Sequence, residues 1–209
     1  MKPTLLFLIA LFSINTLFSQ TNITLPAPQK TGGMPLMEAL NKRSTARSFD
    51  TKEISMQQLS NLLWAAFGIN RTDGKRTAPS AMNKMETDIY VLLKQGAYVY
   101  DAKNNLLVQV STEDIRELGG TQDFVKDAPV TIVLVADFLK MSRGSIEDKK
   151  NTANIDAGYI SQNIYLFCAS EGLATGARGS VDRDKLGQKL KLGSDQMISI
   201  AQSVGFPKP

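Results

Sequence analysis

The chain has 209 residues, 43% of them hydrophobic and 21% charged, with a formal net charge of +4. That is enough for one globular domain with its own core. Its basic residues are interspersed with acidic ones and leave no nucleic-acid footprint. There is no histidine and a single cysteine, Cys168. This excludes Ser-His-Asp and Cys-His catalysis, an intrachain disulfide, and zinc or iron–sulfur sites built from His or several Cys. An enzyme with so little reactive chemistry of its own needs a borrowed cofactor.

In chain order, residues 1–19 read as a signal peptide. Lys2 supplies the positive start, Leu5 to Phe12 the apolar core, and Ser19-Gln20 a cleavage point. The apolar run is too short for a permanent span. The expectation is an exported chain, periplasmic or secreted, with no stable membrane span after processing. Residues 20–34 form an extended arm rich in Pro, Gly and Thr (Pro26, Pro28, Gly32, Gly33). Residues 35–209 are expected to make one domain.

Within that domain, Pro35 to Lys42 reads as a short helix. Ser55 to Phe67 reads as a second, with Ser55 as N-cap, Gly68 as stop and Leu59, Leu62, Leu63, Ala66 and Phe67 on its apolar face. Trp64, in the same helix, is read as core. Asn70 to Pro79 is a polar loop. Thr87 to Leu93 is a strand, and Tyr98 to Tyr100 with Leu106 to Val110 a hairpin. Ile115 to Gly120 and Gln122 to Lys126 are short helical turns. Pro129 to Ala136 is the most apolar strand and belongs mid-sheet, its proline fitting only the first position.

Asp148 to Gly172 carries the longest helical pattern. Its apolar and small positions, among them Ile155, Tyr159, Ile160, Ile164 and Phe167, run almost all round the helix, which predicts burial on more than one side. Cys168, in this helix, is read as inert packing. Leu173 to Gly179 is Leu-Ala-Thr-Gly-Ala-Arg-Gly, Asp182 to Leu190 reads as a helix capped by Asp182, and Met197 to Val204 as a final strand. An α+β domain, a sheet covered by helices, follows.

Three stretches could carry chemistry. Asn41 to Asp50 (Asn-Lys-Arg-Ser-Thr-Ala-Arg-Ser-Phe-Asp) gathers three cations and three hydroxyls. Arginine forks and small hydroxyls suit a phosphate; the same pattern also serves as a solvated basic helix end. Pro79-Ser80-Ala81-Met82-Asn83 is a turn with side-chain donors, acceptors and free backbone amides. Gly172, Gly176 and Gly179 let backbone approach a ligand closely, but their spacing does not fit the dinucleotide-binding fingerprint.

Arg43-Ser44-x-x-Arg47-x-Phe49, a following helix, and Pro79-Ser80-Ala81-x-Asn83 together resemble the flavin-dependent nitroreductase family. The resemblance runs from about Pro35 to Pro209 and is nearest to the thiazole- and oxazole-forming dehydrogenases. It implies a nitroreductase-like fold with a mixed or antiparallel sheet, a long central helix at the interface of a homodimer, and FMN at that interface. It implies that Lys42 or Arg43, with Ser44 and Arg47, holds the FMN phosphate. Many members space the two arginines one residue closer, so both Lys42 and Arg43 stay candidates for the first place. It further implies that Pro79, Ser80, Ala81 and Asn83 border the flavin ring, that a backbone N–H at Arg178 or Gly179 approaches flavin N5, and that Lys208 returns to the phosphate. The N-terminal arm can wrap a partner subunit in such proteins.

The implied activity is an FMN-dependent oxidoreductase of ping-pong kinetics, the flavin passing between a reducing donor and a small organic acceptor. No protein nucleophile is needed, and Arg47 is the candidate cation beside reduced flavin. NAD(P)H is the family's usual donor, but it is cytosolic, so an exported enzyme needs another. The alternative is a flavin-binding protein without turnover.

Overall fold

The computed structural model describes residues 21–209; the expected signal peptide lies outside the described residues. Seven strands form one sheet: β1 (Ile23–Thr24), β2 (Thr87–Leu93), β3 (Gly96–Asp101), β4 (Leu106–Ser111), β5 (Val130–Asp137), β6 (Ala174–Arg178) and β7 (Gln196–Gly205). Their order is β1-β4-β3-β2-β5-β7-β6, and every pairing is antiparallel. Four α-helices accompany them: α1 (Leu36–Lys42), α2 (Met56–Phe67), α3 (Ile146–Glu171) and α4 (Arg183–Lys189). No helix among the described residues is long and apolar enough to cross a membrane.

The sheet is covered on both faces. Along β5, Val130, Ile132 and Leu134 join a core with α2 and α3, while Val133 and Val135 join another with Leu186 of α4. Both sides of a strand buried this way require a continuous apolar run rather than an alternating one. Pro129 stands just ahead of β5 and withholds no ladder hydrogen bond. Helix α2 contributes Leu59, Leu62 and Leu63, all fully buried. Truncating any one to Ala costs about 2–5 kcal/mol. Its start is fixed by a capping box between Ser55 and Gln58. Helix α3 starts on a similar box, Ser145 with Asp148, and ends at Gly172, whose φ of 68° is the left-handed conformation only glycine adopts without strain.

Two stretches take a structure that the sequence reading did not give them. The arm is not a free tail. Ile23–Thr24 pairs with β4 as an edge strand, Leu25 is buried in the main core, and Gln29 N–H donates to Asn61 Oδ1 at 2.8 Å. The arm is thus bound to its own chain. Residues 174–178, which the sequence left without an element, are a strand, β6, because pairing with β7 satisfies their backbone. Helix α3 is buried against the sheet and α2, but Ile155 and Tyr159 stay 58% and 49% exposed and leave a third face open.

Candidate active site

The basic stretch after α1 lies across the end of β6. Ala46 N–H donates to the Thr175 carbonyl at 2.8 Å, and Asp50 N–H to the Phe206 carbonyl at 3.0 Å. The approach is close: a Cβ added at Gly176 would meet the Ala46 carbonyl at 2.5 Å. Phe49 anchors the stretch, 2% exposed, against Phe124 and beside Gly205. Ser44 and Arg47 are exposed. The Asp50–Phe206 bridge also leads the C-terminal segment alongside, placing exposed Lys208 two residues beyond it.

Tyr165 of α3 organises this corner. Its hydroxyl accepts the Ala177 N–H at 2.9 Å and sits 3.1 Å from Thr45 Oγ1. The Arg43 guanidinium lies 5.3 Å above its ring, a cation–π contact. Lys42 instead pairs with Glu38 at 2.9 Å along α1. Of the two candidates for the first phosphate-facing place, Arg43 is therefore the one turned towards β6.

Arg178 has a different role from the one its sequence context suggests. Its side chain turns inward. Nη1 donates to the Gly119 carbonyl at 2.9 Å, and Nη2 to the Gly176 carbonyl at 3.1 Å and Ser203 Oγ at 2.7 Å. The guanidinium lies over Phe124. Burial pulls its pKa down to about 10, so it stays charged at neutral pH. Beneath it a buried polar chain runs from Ser161 Oγ to Gln202 Oε1 at 2.8 Å, from Gln202 Nε2 to Thr175 Oγ1 at 3.0 Å, and from Thr175 Oγ1 to the Ser203 carbonyl at 2.8 Å. What remains open at the surface is backbone: Gly179 is exposed, and a Cβ there would touch nothing within 4 Å.

The Pro79–Asn83 turn lies elsewhere. Ala81 N–H donates to Asp156 Oδ2 of α3 at 2.8 Å, and Met85 N–H to Ser80 Oγ at 2.9 Å. Pro79, Met82 and Asn83 are exposed. Asp156 and Tyr165 are nine residues apart on one helix, hence about 13 Å along its axis and roughly half a turn round it. One chain therefore brings Arg43, Ser44, Arg47, Arg178, Gly179 and Lys208 to one side of α3, and Pro79, Ser80, Ala81 and Asn83 to another.

A cleft of about 670 Å³ between the arm, α2 and the C-terminal half of α3 belongs to neither group. Its polar walls are already engaged: Trp64 Nε1 donates to the Ile69 carbonyl, Asn61 Oδ1 accepts from Gln29 N–H, and Ser170 Oγ accepts from Met34 N–H. Trp64 is half-buried and bonded within its own chain, in keeping with a structural role.

The antiparallel sheet, its covering helices and the long helix α3 together define an α+β domain of the nitroreductase-like fold. The nitroreductase family model matches residues 40–206, and the chain belongs to that family. A protein of Methanocaldococcus jannaschii, provisionally assigned as a nitroreductase, is 26% identical over 167 residues, 75% of this chain and 84% of that one. A crystal structure from Ralstonia eutropha, provisionally assigned likewise, superposes with a TM-score of 0.86 at 39% identity, covering 90% of both chains. A Staphylococcus epidermidis protein, provisionally assigned as an NAD(P)H:FMN oxidoreductase, shares the fold at a TM-score of 0.63 and 16% identity, covering 88% of this chain and 92% of that one. Membership of this family makes the chain an oxidoreductase by class.

Proposed function

We propose that the protein is an exported, FMN-dependent oxidoreductase that works as a homodimer, with each cofactor site shared between two copies. The observation that carries this is the placement of the two motifs on opposite sides of α3. Arg43, Ser44, Arg47 and Lys208 form a cationic cradle suited to a phosphate dianion, and the exposed backbone at Gly179 allows close approach of a flat ring. The Pro79–Asn83 turn, with the amide of Asn83 free at the surface, suits the edge of such a ring but faces away from the cradle of its own chain. A second copy packed on the open face of α3, through Ile155 and Tyr159, brings one copy's turn to the other's cradle. Leu36, Met37 and Leu40 of α1, 62%, 76% and 44% exposed, extend that apolar face.

When bound, FMN supplies the two-electron chemistry that this chain's own side chains lack. The protein's part is to neutralise the phosphate, to hold the ring edge through Ser80 and Asn83, and to exclude water by dimer packing. Arg47 is the candidate cation for charge on the reduced cofactor. Donor and small organic acceptor use one cavity in turn, so the kinetics are ping-pong. Within the family we place the chain nearest to the thiazole- and oxazole-forming dehydrogenases, on its Arg-Ser and Pro-Ser-Ala motifs. NAD(P)H fits as donor in vitro; outside the cytosol another reductant takes its place. Residues 1–19 direct export, so the secreted protein should begin near Gln20, which mass spectrometry of the exported product reads directly.

Subunit mixing tests the shared site. Arg43→Ala and Asn83→Ala variants should each retain little FMN. Mixed and re-dimerised, they form heterodimers in which one site has both native residues and the other neither, so flavin retention should return at one site per heterodimer. A site contained within one chain would show no recovery on mixing.

A further inference from the structure

The turn expected at the flavin edge rests on a buried acidic pair that none of the cofactor chemistry uses. Glu86 is fully buried, one residue ahead of β2, and as a carboxylate neither of its oxygens has a hydrogen-bond partner. Its neighbour is Asp156 of α3, 4% exposed, whose Oδ2 accepts the Ala81 N–H. Two adjacent buried carboxylates, only one of which has a donor, are costly, whereas one proton between them gives a carboxyl-to-carboxylate hydrogen bond. Burial above all, and then the charge and hydrogen bonding of Asp156, push Glu86 up to about 7.

Among the charged groups near the turn, Lys84, Arg143 and Asp148 line a pocket with Ala81 and Met82, and two lysines are engaged by other partners. Lys140, in the turn after β5, pairs with Asp88 at 2.6 Å, and Lys149 Nζ donates to the Phe138 carbonyl at 3.1 Å. The Glu86 backbone N–H and the more distant Lys140 only partly oppose the upward shift.

The segment above the pair is strained. Met82, Asn83 and Met85 have φ of 51°, 55° and 48°, left-handed values that residues with a Cβ adopt rarely. Such a conformation persists only where its surroundings enforce it. The bond from Ala81 to Asp156 is the tie between this turn and the long helix.

We propose that Glu86 and Asp156 form a one-proton latch: with a single proton shared between them Asp156 holds the Pro79–Asn83 turn in its strained form, and loss of that proton to solvent releases it. Glu86 and Asp156 are positioning residues, acting on a ligand only through Ser80 and Asn83. The consequence for cofactor affinity rests on the FMN reading above; the latch itself does not, and is measured without FMN.

The test is amide hydrogen exchange at Ala81 and its neighbours in the cofactor-free mature protein, corrected for the intrinsic pH dependence of exchange. Opening the turn costs the shared proton, so protection should fall by up to about tenfold per pH unit, roughly fortyfold between pH 5 and 7, and level off above. Glu86→Gln removes the titrating group and should flatten this dependence. Asp156→Asn keeps an acceptor for Ala81 N–H but removes the neighbouring charge and should make the dependence shallower, whereas Asp156→Ala should leave the turn unprotected at every pH. Wild-type protection that is flat from pH 5 to 7 would overturn the latch, as would the full slope persisting in Glu86→Gln or Asp156→Asn. In either case the FMN reading would stand or fall separately, on flavin retention.

Discussion

Replacing Arg178 by Ala separates a structural arginine from a ligand-facing one. The guanidinium makes three hydrogen bonds, to Gly119, Gly176 and Ser203, and covers Phe124. Hydrogen bonds to a charged group contribute about 1.5–3 kcal/mol each, though never additively within one cluster. Against that stands the cost of burying the charge, the same cost that lowers its pKa. Removing it also leaves two carbonyls and a hydroxyl without their donor. We take about 3 kcal/mol as the net loss, the lower end of the range for breaking a buried charged contact. For a domain of this size each kcal/mol shifts the melting temperature by about 2–4 °C, so the midpoint should drop by roughly 6–12 °C. On cofactor-free protein, thermal melts followed by circular dichroism give this shift, and urea unfolding gives the free-energy loss itself. Arg178→Lys should recover little, because a single ammonium cannot reach three divergent acceptors. A loss below about 1 kcal/mol for Arg178→Ala would refute the strut.

Other outcomes follow from the same geometry. Arg47→Ala should change cofactor-free stability by no more than about 0.5 kcal/mol, since Arg47 is exposed, and Arg43→Ala by about 0.5–1 kcal/mol, the cation–π contact with Tyr165. Each should weaken FMN binding about 10- to 100-fold by equilibrium dialysis, the loss of one charged phosphate contact. Gly176→Ala places a Cβ 2.5 Å from the Ala46 carbonyl. It should cost about 1–3 kcal/mol in a urea titration and weaken FMN retention in parallel. Ser55→Ala removes one half of the capping box of α2 and should cost about 1 kcal/mol, without touching cofactor retention. Because Glu86 is raised from its ordinary value to about 7, the folded chain holds a proton that the unfolded chain has released. Its contribution to stability is complete below the ordinary glutamate range and is lost as pH rises towards 7. The slope is at most about 1.4 kcal/mol per pH unit, and Glu86→Gln should remove it from a series of thermal melts between pH 4.5 and 8.

Where local chemistry decides an element, the sequence was legible. Ser55 and Gly68 bound α2, Asp182 caps α4, and Pro129 marks the start of β5, because caps and proline act over a few residues. The edge strands were not legible. Ala-Thr-Gly-Ala-Arg carries little strand propensity, and β6 exists because β7 offers it a ladder. Ile23–Thr24 is likewise a strand only because β4 lies open beside it. The cationic stretch and the Pro79–Asn83 turn were readable as motifs, but their separation was not, since it depends on which neighbours α3 presents to each face. Tyr165 gave no signal among the apolar residues of that helix. Glu86, a lone acid ahead of a strand, looks in sequence like any surface glutamate, and its burial beside Asp156 is set by tertiary packing.

The central claim is that this chain holds FMN. The direct measurement is the near-ultraviolet and blue absorbance of the mature protein after incubation with FMN and gel filtration, in wild type and in Arg43→Ala. The account predicts two flavin bands at close to one FMN per chain in the wild type and their loss in the variant. A colourless wild-type protein whose melting temperature does not respond to added FMN would contradict it, and would leave Arg43 to Phe49 as a charged helix end packed on β6.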